Sequence, residues 1–178
     1  MGAPVNALDR QEHVADLVVR VQEGGKASFD ELFKQTHRLA RKVAVAVVGP
    51  QRVDDAVQES FLVVYQKIRQ LKEPEAFCAW LSRLVLHTCY RLNRKRPDEV
   101  ALPEEGLQTP DPTGKALAAL QLRQALERLP KDDREILVLR ELLAFSYEEV
   151  AYALALPVGT VKSRLSTARA RLKQRLAV

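Results

Sequence analysis

The chain has 178 residues, 47% hydrophobic and 29% charged, a balance that suits a folded domain structure and excludes wholesale disorder. Its longest apolar run near the middle, Val43 to Val48, is far short of the ~20 residues a membrane helix requires, so no membrane insertion is expected. The formal charge of +5 is unevenly divided: residues 1–96 carry +5, residues 97–114 carry −5 without one Lys or Arg, and residues 115–178 carry +5, as two polyanion-facing surfaces around an acidic connector would.

Helical periodicity runs throughout, and no segment alternates apolar and polar residues between hairpin turns, so the expected fold class is all-α. A first helix covers His13 to Gln22 and ends at Gly24-Gly25. A second starts near Ser28, lines up Phe29, Leu32, Phe33, Ala40, Val43, Ala44 and Val47 on one face, and stops at Gly49-Pro50. The third runs from about Val53 to Leu71 on Val53, Val57, Phe61, Val64, Ile68 and Leu71. The fourth, from about Glu75 to Arg94, buries Phe77, Trp80, Leu81, Leu84, Thr88 and Leu92.

Cys78 and Cys89, eleven residues apart on that helix, lie ~16 Å from each other, too far for a disulfide. Neither belongs to a Cys-x-x-Cys pair, and both read as small apolar side chains of the core rather than metal or redox groups. No cofactor is expected.

From Pro97 to Gly114 four prolines and five acids break the pattern, and the segment reads as a flexible linker, longer than most connections inside one compact domain. The expected organisation is therefore two small helical domains, 1–96 and 115–178, joined by an acidic linker at 97–114. The second holds four helical segments, Leu117 to Leu129, Asp132 to Leu143, Tyr147 to Leu154, and roughly Val158 to Leu176. Ser146-Tyr147-Glu148-Glu149 fits a capping box, and only Ala155-Leu156-Pro157 separates the short capped helix from the last one. That is the connection length of a helix-turn-helix.

In the last helix Val161, Leu165, Ala168 and Leu172 form the buried stripe, and Thr160, Arg164, Thr167 and Arg171, with Lys162 and Ser163 at the margins, form the complementary one. Arginines and short hydroxyls are what phosphates and base edges require. Charge alone would fit a solvated basic helix; the capped helix and tight turn before it favour DNA reading.

Leu129-Pro130 through Arg134, Ser146 to Ala151, and Gly159-Thr160-Val161-Lys162-Ser163-Arg164-Leu165 closely resemble the C-terminal promoter-binding domain of the extracytoplasmic-function (ECF) sigma factors of the sigma-70 family. The resemblance implies a last helix that reads the minus thirty-five element in the major groove. Ala155 stands where the family usually has a turn glycine; a left-handed backbone there would cost Ala ~1 kcal/mol.

The resemblance extends to the first half and covers about 150 of the 178 residues. Asp54-Asp55-Ala56-Val57-Gln58-Glu59-Ser60-Phe61 resembles the family's helix that docks on the clamp helices of the largest catalytic subunit of RNA polymerase. Asp54, Asp55, Gln58 and Glu59 would form the docking ridge, the acidic face suiting a basic protein partner. The same residues read without the family are a solvated acidic face, or an i, i+4 carboxylate pair for a cation. Phe77-Cys78-Ala79-Trp80-Leu81 and the helix that follows resemble the minus-ten reader, with Arg83, His87, Arg91, Arg94 and Lys95 on a stripe that can follow phosphates. His87 stands where the family usually has Asn; alone it reads as an ordinary surface histidine. Trp80, at the edge of the apolar stripe, reads as core rather than as a stacking platform.

The resemblance further implies that the loop Gln70, Leu71, Lys72, Glu73, Pro74 and Glu75 receives a flipped base, and that the acidic linker threads the polymerase's RNA path, although a plain soluble tether fits its composition equally. The partners implied are core RNA polymerase, through its clamp helices and flap, promoter DNA as duplex and melted strand, and an anti-sigma factor. The cytoplasm is the expected compartment, since Met1 to Arg10 has no apolar stretch of the secretory kind. The chain reads as a promoter-reading subunit rather than an enzyme. Two other readings are an autonomous helix-turn-helix regulator, whose first half serves only dimerisation, and a metal-dependent nuclease or hydrolase built on Asp54, Asp55 and Glu59.

Overall fold

A computed structural model describes residues 7–94 and 115–176. The linker at 97–114 and Lys95 lie outside the described residues. Among those described there is no strand, and eight helices fall into two regions: α1 (Ala7–Gln22), α2 (Lys26–Val48), α3 (Val53–Lys67) and α4 (Phe77–Arg94), then α5 (Lys115–Glu127), α6 (Lys131–Leu137), α7 (Tyr147–Leu154) and α8 (Val158–Leu176).

The breaks follow from local chemistry. Gly49 ends α2 at φ 74°, ψ 173°, a left-handed backbone that favours glycine, and the Arg123 guanidinium of α5 lies over it. Pro50 then opens a 3₁₀ turn that leads into α3. α3 ends at Lys67 rather than Leu71, its last turn tightening to a 3₁₀ turn over Ile68–Gln70; a second such turn, Pro74–Ala76, precedes α4. Gln22 at the end of α1 donates from Nε2 to the carbonyls of Ile68 and Leu71, both at 2.8 Å, and so pins the intervening loop.

In the second region Arg134 donates to the Glu127 carbonyl at 2.6 Å and to that of Leu129 at 3.3 Å, satisfying the end of α5 across the Leu129-Pro130 corner. The expected helix to Leu143 is α-helical only to Leu137. It continues as one π-helical turn, Val138–Leu142, a departure no periodicity announces.

α2, α3 and α4 pack pairwise with α1 against α2, while α6 and α7 pack on α8. α4 also packs on α7, so the two regions share one continuous apolar core. This is why the buried face of α4 is wider than expected. Phe77, Leu81, Thr88 and Leu92 are buried with Val85 beside them, but so are Ala79, Leu86 and Cys89, which lie outside that stripe. Trp80 and Leu84 are only half-buried at the rim. Thr36, Ser60 and Ser82 are buried among them, each hydroxyl donating to the carbonyl four residues back. Contacts across the regions include Lys42 Nζ donating to the Leu142 carbonyl at 2.5 Å.

Candidate functional site

The chemistry-bearing residues gather on three surfaces. On α3, Asp54, Asp55 and Gln58 are exposed and Glu59 is half-buried, forming one ridge. Asp54 is ion-paired with Arg41 of α2, and Glu59 with Arg91 of α4 at 2.6 Å. Asp55 has no ion pair among the described residues, which leaves it and Gln58 as the open part of the ridge. Beside them runs an apolar groove of Phe29, Phe33, Phe61, Leu62 and Tyr65, walled by Arg41, Asp54 and Gln58. Phe29 and Tyr65 meet edge-on at 5.3 Å and Phe33 and Phe61 at 4.7 Å, yet Leu62 is 59% and Tyr65 60% exposed. Sequence reasoning missed Leu62 and Tyr65, because it followed the buried stripe of α3 and passed over apolar residues lying off it.

On α4, the stripe divides. Arg83 is half-buried and His87 exposed, with the His87 ring 3.9 Å from Glu135 of α6. Arg91 turns to Glu59, and Arg94 is exposed. Burial lowers the His87 pKa below its usual range, and the charges of Lys131 and Arg83 push the same way. Glu135 is buried and its carboxyl is raised, first by burial, with Lys131 at 3.5 Å pulling it back. One turn along, Tyr90 lies under two cations, Lys131 at 5.1 Å and Arg134 at 5.5 Å from the ring centre. The loop before α4 exposes Gln70, Lys72, Glu73 and Glu75, whereas Leu71 is buried as an anchor and Pro74 is half-buried. Helix α7 packs beside this loop.

The third surface is the helix-turn-helix. The capping box is present in both directions: the Glu149 amide donates to Ser146 Oγ at 3.1 Å, and the Ser146 amide to Glu149 Oε2 at 2.8 Å. Ala155 closes α7 at φ 53°, ψ 47°, in the left-handed region. The Leu156 amide reaches back to the Ala151 carbonyl at 3.0 Å, completing the turn into α8. Val161, Leu165 and Ala168 are fully buried and Leu172 half-buried. Lys162, Ser163, Arg164, Thr167 and Arg171 are exposed and Thr160 is half-exposed; Arg164 and Arg171 flank the buried stripe, three residues on from Val161 and Ala168. Lys162 stands 5.4 Å over the Tyr147 ring, and a cleft lined by Asp132, Asp133, Ser163, Arg164, Thr167 and Arg171 opens between α6 and α8.

Residues 32–97 match the family model for Sigma-70 region 2, and residues 119–172 that for Sigma-70, region 4. The ECF RNA polymerase sigma factor SigM of Mycobacterium tuberculosis is 31% identical over 164 residues, spanning 91% of this chain and 84% of its own length. The chain is an ECF sigma factor of the sigma-70 family. Among solved structures, the sigma factor resembles CnrH in its complex with the cytosolic domain of CnrY, with a TM-score of 0.71 and 25% identity over 93% of this chain and 97% of that one. It also resembles the sigma factor RpoE in complex with the anti-sigma factor NepR from Bartonella quintana, at a TM-score of 0.64 and 27% identity over 84% of this chain and 97% of that one. The region 2 match holds the α3 ridge and the α4 stripe. The region 4 match holds the capped helix, the left-handed turn and α8 through Leu172.

Proposed function

We propose that this sigma factor docks core RNA polymerase through the open part of the α3 ridge and its apolar groove, and brings the enzyme to promoters read at two elements. Asp55 and Gln58, with Asp54 and Glu59 flanking, meet basic groups on the clamp helices of the largest subunit, while Leu62 and Tyr65 give the contact an apolar centre. The second region meets the polymerase flap and lays α8 in the major groove of the minus thirty-five element. Thr160, Lys162, Ser163, Arg164 and Thr167 face the DNA there.

Arg83, His87, Arg91, Arg94 and Lys95 follow the melting minus-ten strand, and the exposed loop residues Gln70, Lys72, Glu73 and Glu75 surround the base that leaves the stack. The observation that carries this reading is the pairing on one chain of an acidic, apolar-bordered protein-docking face with a capped helix-turn-helix. An isolated regulator has no use for the first, and a nuclease has none for the second. Residence in the cytoplasm follows from this role, and the solved complex of the related RpoE with an anti-sigma factor supports a proteinaceous inhibitor as a further partner.

Run-off transcription with purified core polymerase on a genomic library tests the reading, and promoter-dependent transcripts are expected only when the sigma factor is present. Reversing charge with Asp55→Lys and Gln58→Lys is expected to lower association with core at least tenfold. Unchanged association, or tight sequence-specific duplex binding without polymerase, would replace the proposal with that of an autonomous regulator.

A further inference from the structure

Six Lys and Arg residues lie on α8, and no acid. Three of the six are nevertheless already held by carboxylates of the helix behind them. Arg164 is 3.4 Å from Asp132, Arg171 is 2.6 Å from Asp133, and Arg169 reaches Glu141 with two donors at 3.0 and 2.6 Å. These pairs are not equivalent. The Asp132 side chain is 68% exposed, so water can replace Arg164 there and the pair is easily exchanged. The Asp133 side chain is 9% exposed, and Arg171 is its only ion-pair partner among the described residues. Drawing Arg171 away to a phosphate would strand a buried carboxylate, which is far more costly than losing a surface pair.

We propose that Asp133–Arg171 is a positioning strut that fixes the pose of α8 on α6, and that Arg164, released by Asp132, reads DNA together with Lys162. The assignment rests on the reading of α8 as the promoter-reading helix, and it moves Arg171 out of the set of DNA-facing side chains. Arg164 and Arg171 share a face two turns, about 10 Å, apart. One stripe therefore carries two roles, separated only by what lies behind each residue. Asp132 becomes a specificity residue: it holds Arg164 until a phosphate or guanine offers a better partner, and it disfavours phosphate at other registers.

The test uses full-length sigma factor in two measurements: thermal melting of the free protein, and the salt dependence of the holoenzyme–promoter complex on a fragment recovered by run-off transcription. Arg171→Ala is expected to lower Tm by about 5 °C or more while leaving the slope of log K against log[salt] unchanged. Arg164→Ala is expected to leave Tm within about 1 °C and to reduce that slope by about one, the loss of one phosphate contact. Should Arg171→Ala not fold, the double variant Asp133→Leu, Arg171→Met removes both charges together and is expected to keep the wild-type slope. A variant lacking Arg171 that melts like the wild type, or the double variant losing a unit of slope, would overturn the strut. If the wild-type holoenzyme forms no salt-sensitive promoter complex, the DNA-reading assignment of α8 fails instead, and the melting of Arg171→Ala still decides the strut.

Discussion

Two alanines bracket α7 in a conformation that alanine disfavours: Ala144 at φ 57° before the capping serine, and Ala155 at φ 53° after the last turn. For an L-residue with a Cβ the left-handed region costs roughly 1–2 kcal/mol. Glycine relieves that cost but makes the unfolded chain more flexible, which returns about 0.4–1 kcal/mol to the unfolded side. The net gain from Ala155→Gly is therefore about 0.5 kcal/mol, and with Ala144→Gly about 1 kcal/mol in all. In a chain of this length that corresponds to a rise in Tm of roughly 1–2 °C for the single and 2–4 °C for the double substitution. Both alanines are exposed, so no packing is lost to confuse the result. Melting followed by circular dichroism at several scan rates measures it. Ala155→Val supplies the opposite arm: a β-branched side chain forced left-handed must destabilise by more than alanine does. A glycine substitution that lowers Tm, or a valine that leaves it unchanged, would refute the account of the turn.

Acidity should act through the contact between α4 and α6. The fold lowers the His87 pKa, so the unfolded chain takes up a proton first; the stability tied to neutral His87 is complete above about pH 6.5 and is lost as the pH falls below it. His87→Asn is expected to flatten the fall in Tm that sets in below about pH 6.5. Glu135 works in the opposite sense. Its raised carboxyl pKa makes its contribution fall as the pH rises above about 4.5, so Glu135→Gln should leave Tm at pH 7 equal or higher. A steeper acid limb in the His87 variant would show the sign to be wrong. Burial pushes the Cys89 thiol up to about 12 and that of Cys78 to about 11. At pH 8 the thiolate fraction is then of order one in a thousand or less at either site. Both cysteines should resist a disulfide reagent until denaturant is added, and stoichiometric labelling of the native protein would contradict this.

The parts legible in sequence are those that local chemistry decides. Gly49-Pro50 ends a helix because the backbone demands it; Ser146 and Glu149 cap one because their side chains reach the free amides; Val161, Leu165 and Ala168 recur at helical spacing because one face of α8 meets the core. What escaped depends on a neighbour distant in sequence. Leu86 and Cys89 lie off the stripe read along α4, and α4 is enclosed by α7 as well as by α2 and α3. The acidic ridge was readable as a row of carboxylates, but not that Arg41 and Arg91 occupy two of them and leave Asp55 and Gln58 as the open pair. Likewise the basic stripe of α8 gave its residues but not Asp132, Asp133 and Glu141 behind them, since a helix periodicity carries no information about the facing helix.

The wide turn at Val138–Leu142 sets the phase of everything after it. A π turn holds one residue more than an α turn would, which rotates the chain beyond it by about 100° around the axis. With that extra residue in place, Glu141 faces Arg169, the Arg140 guanidinium donates to the Phe145 carbonyl at 2.6 Å, and Phe145 enters the core ahead of Ser146. Wound as an ordinary helix, the same residues would bring the capped helix out of step with α8. The count of residues between Leu137 and Leu143 is thus matched to the wide turn, which takes up the odd residue as a pleat takes up cloth.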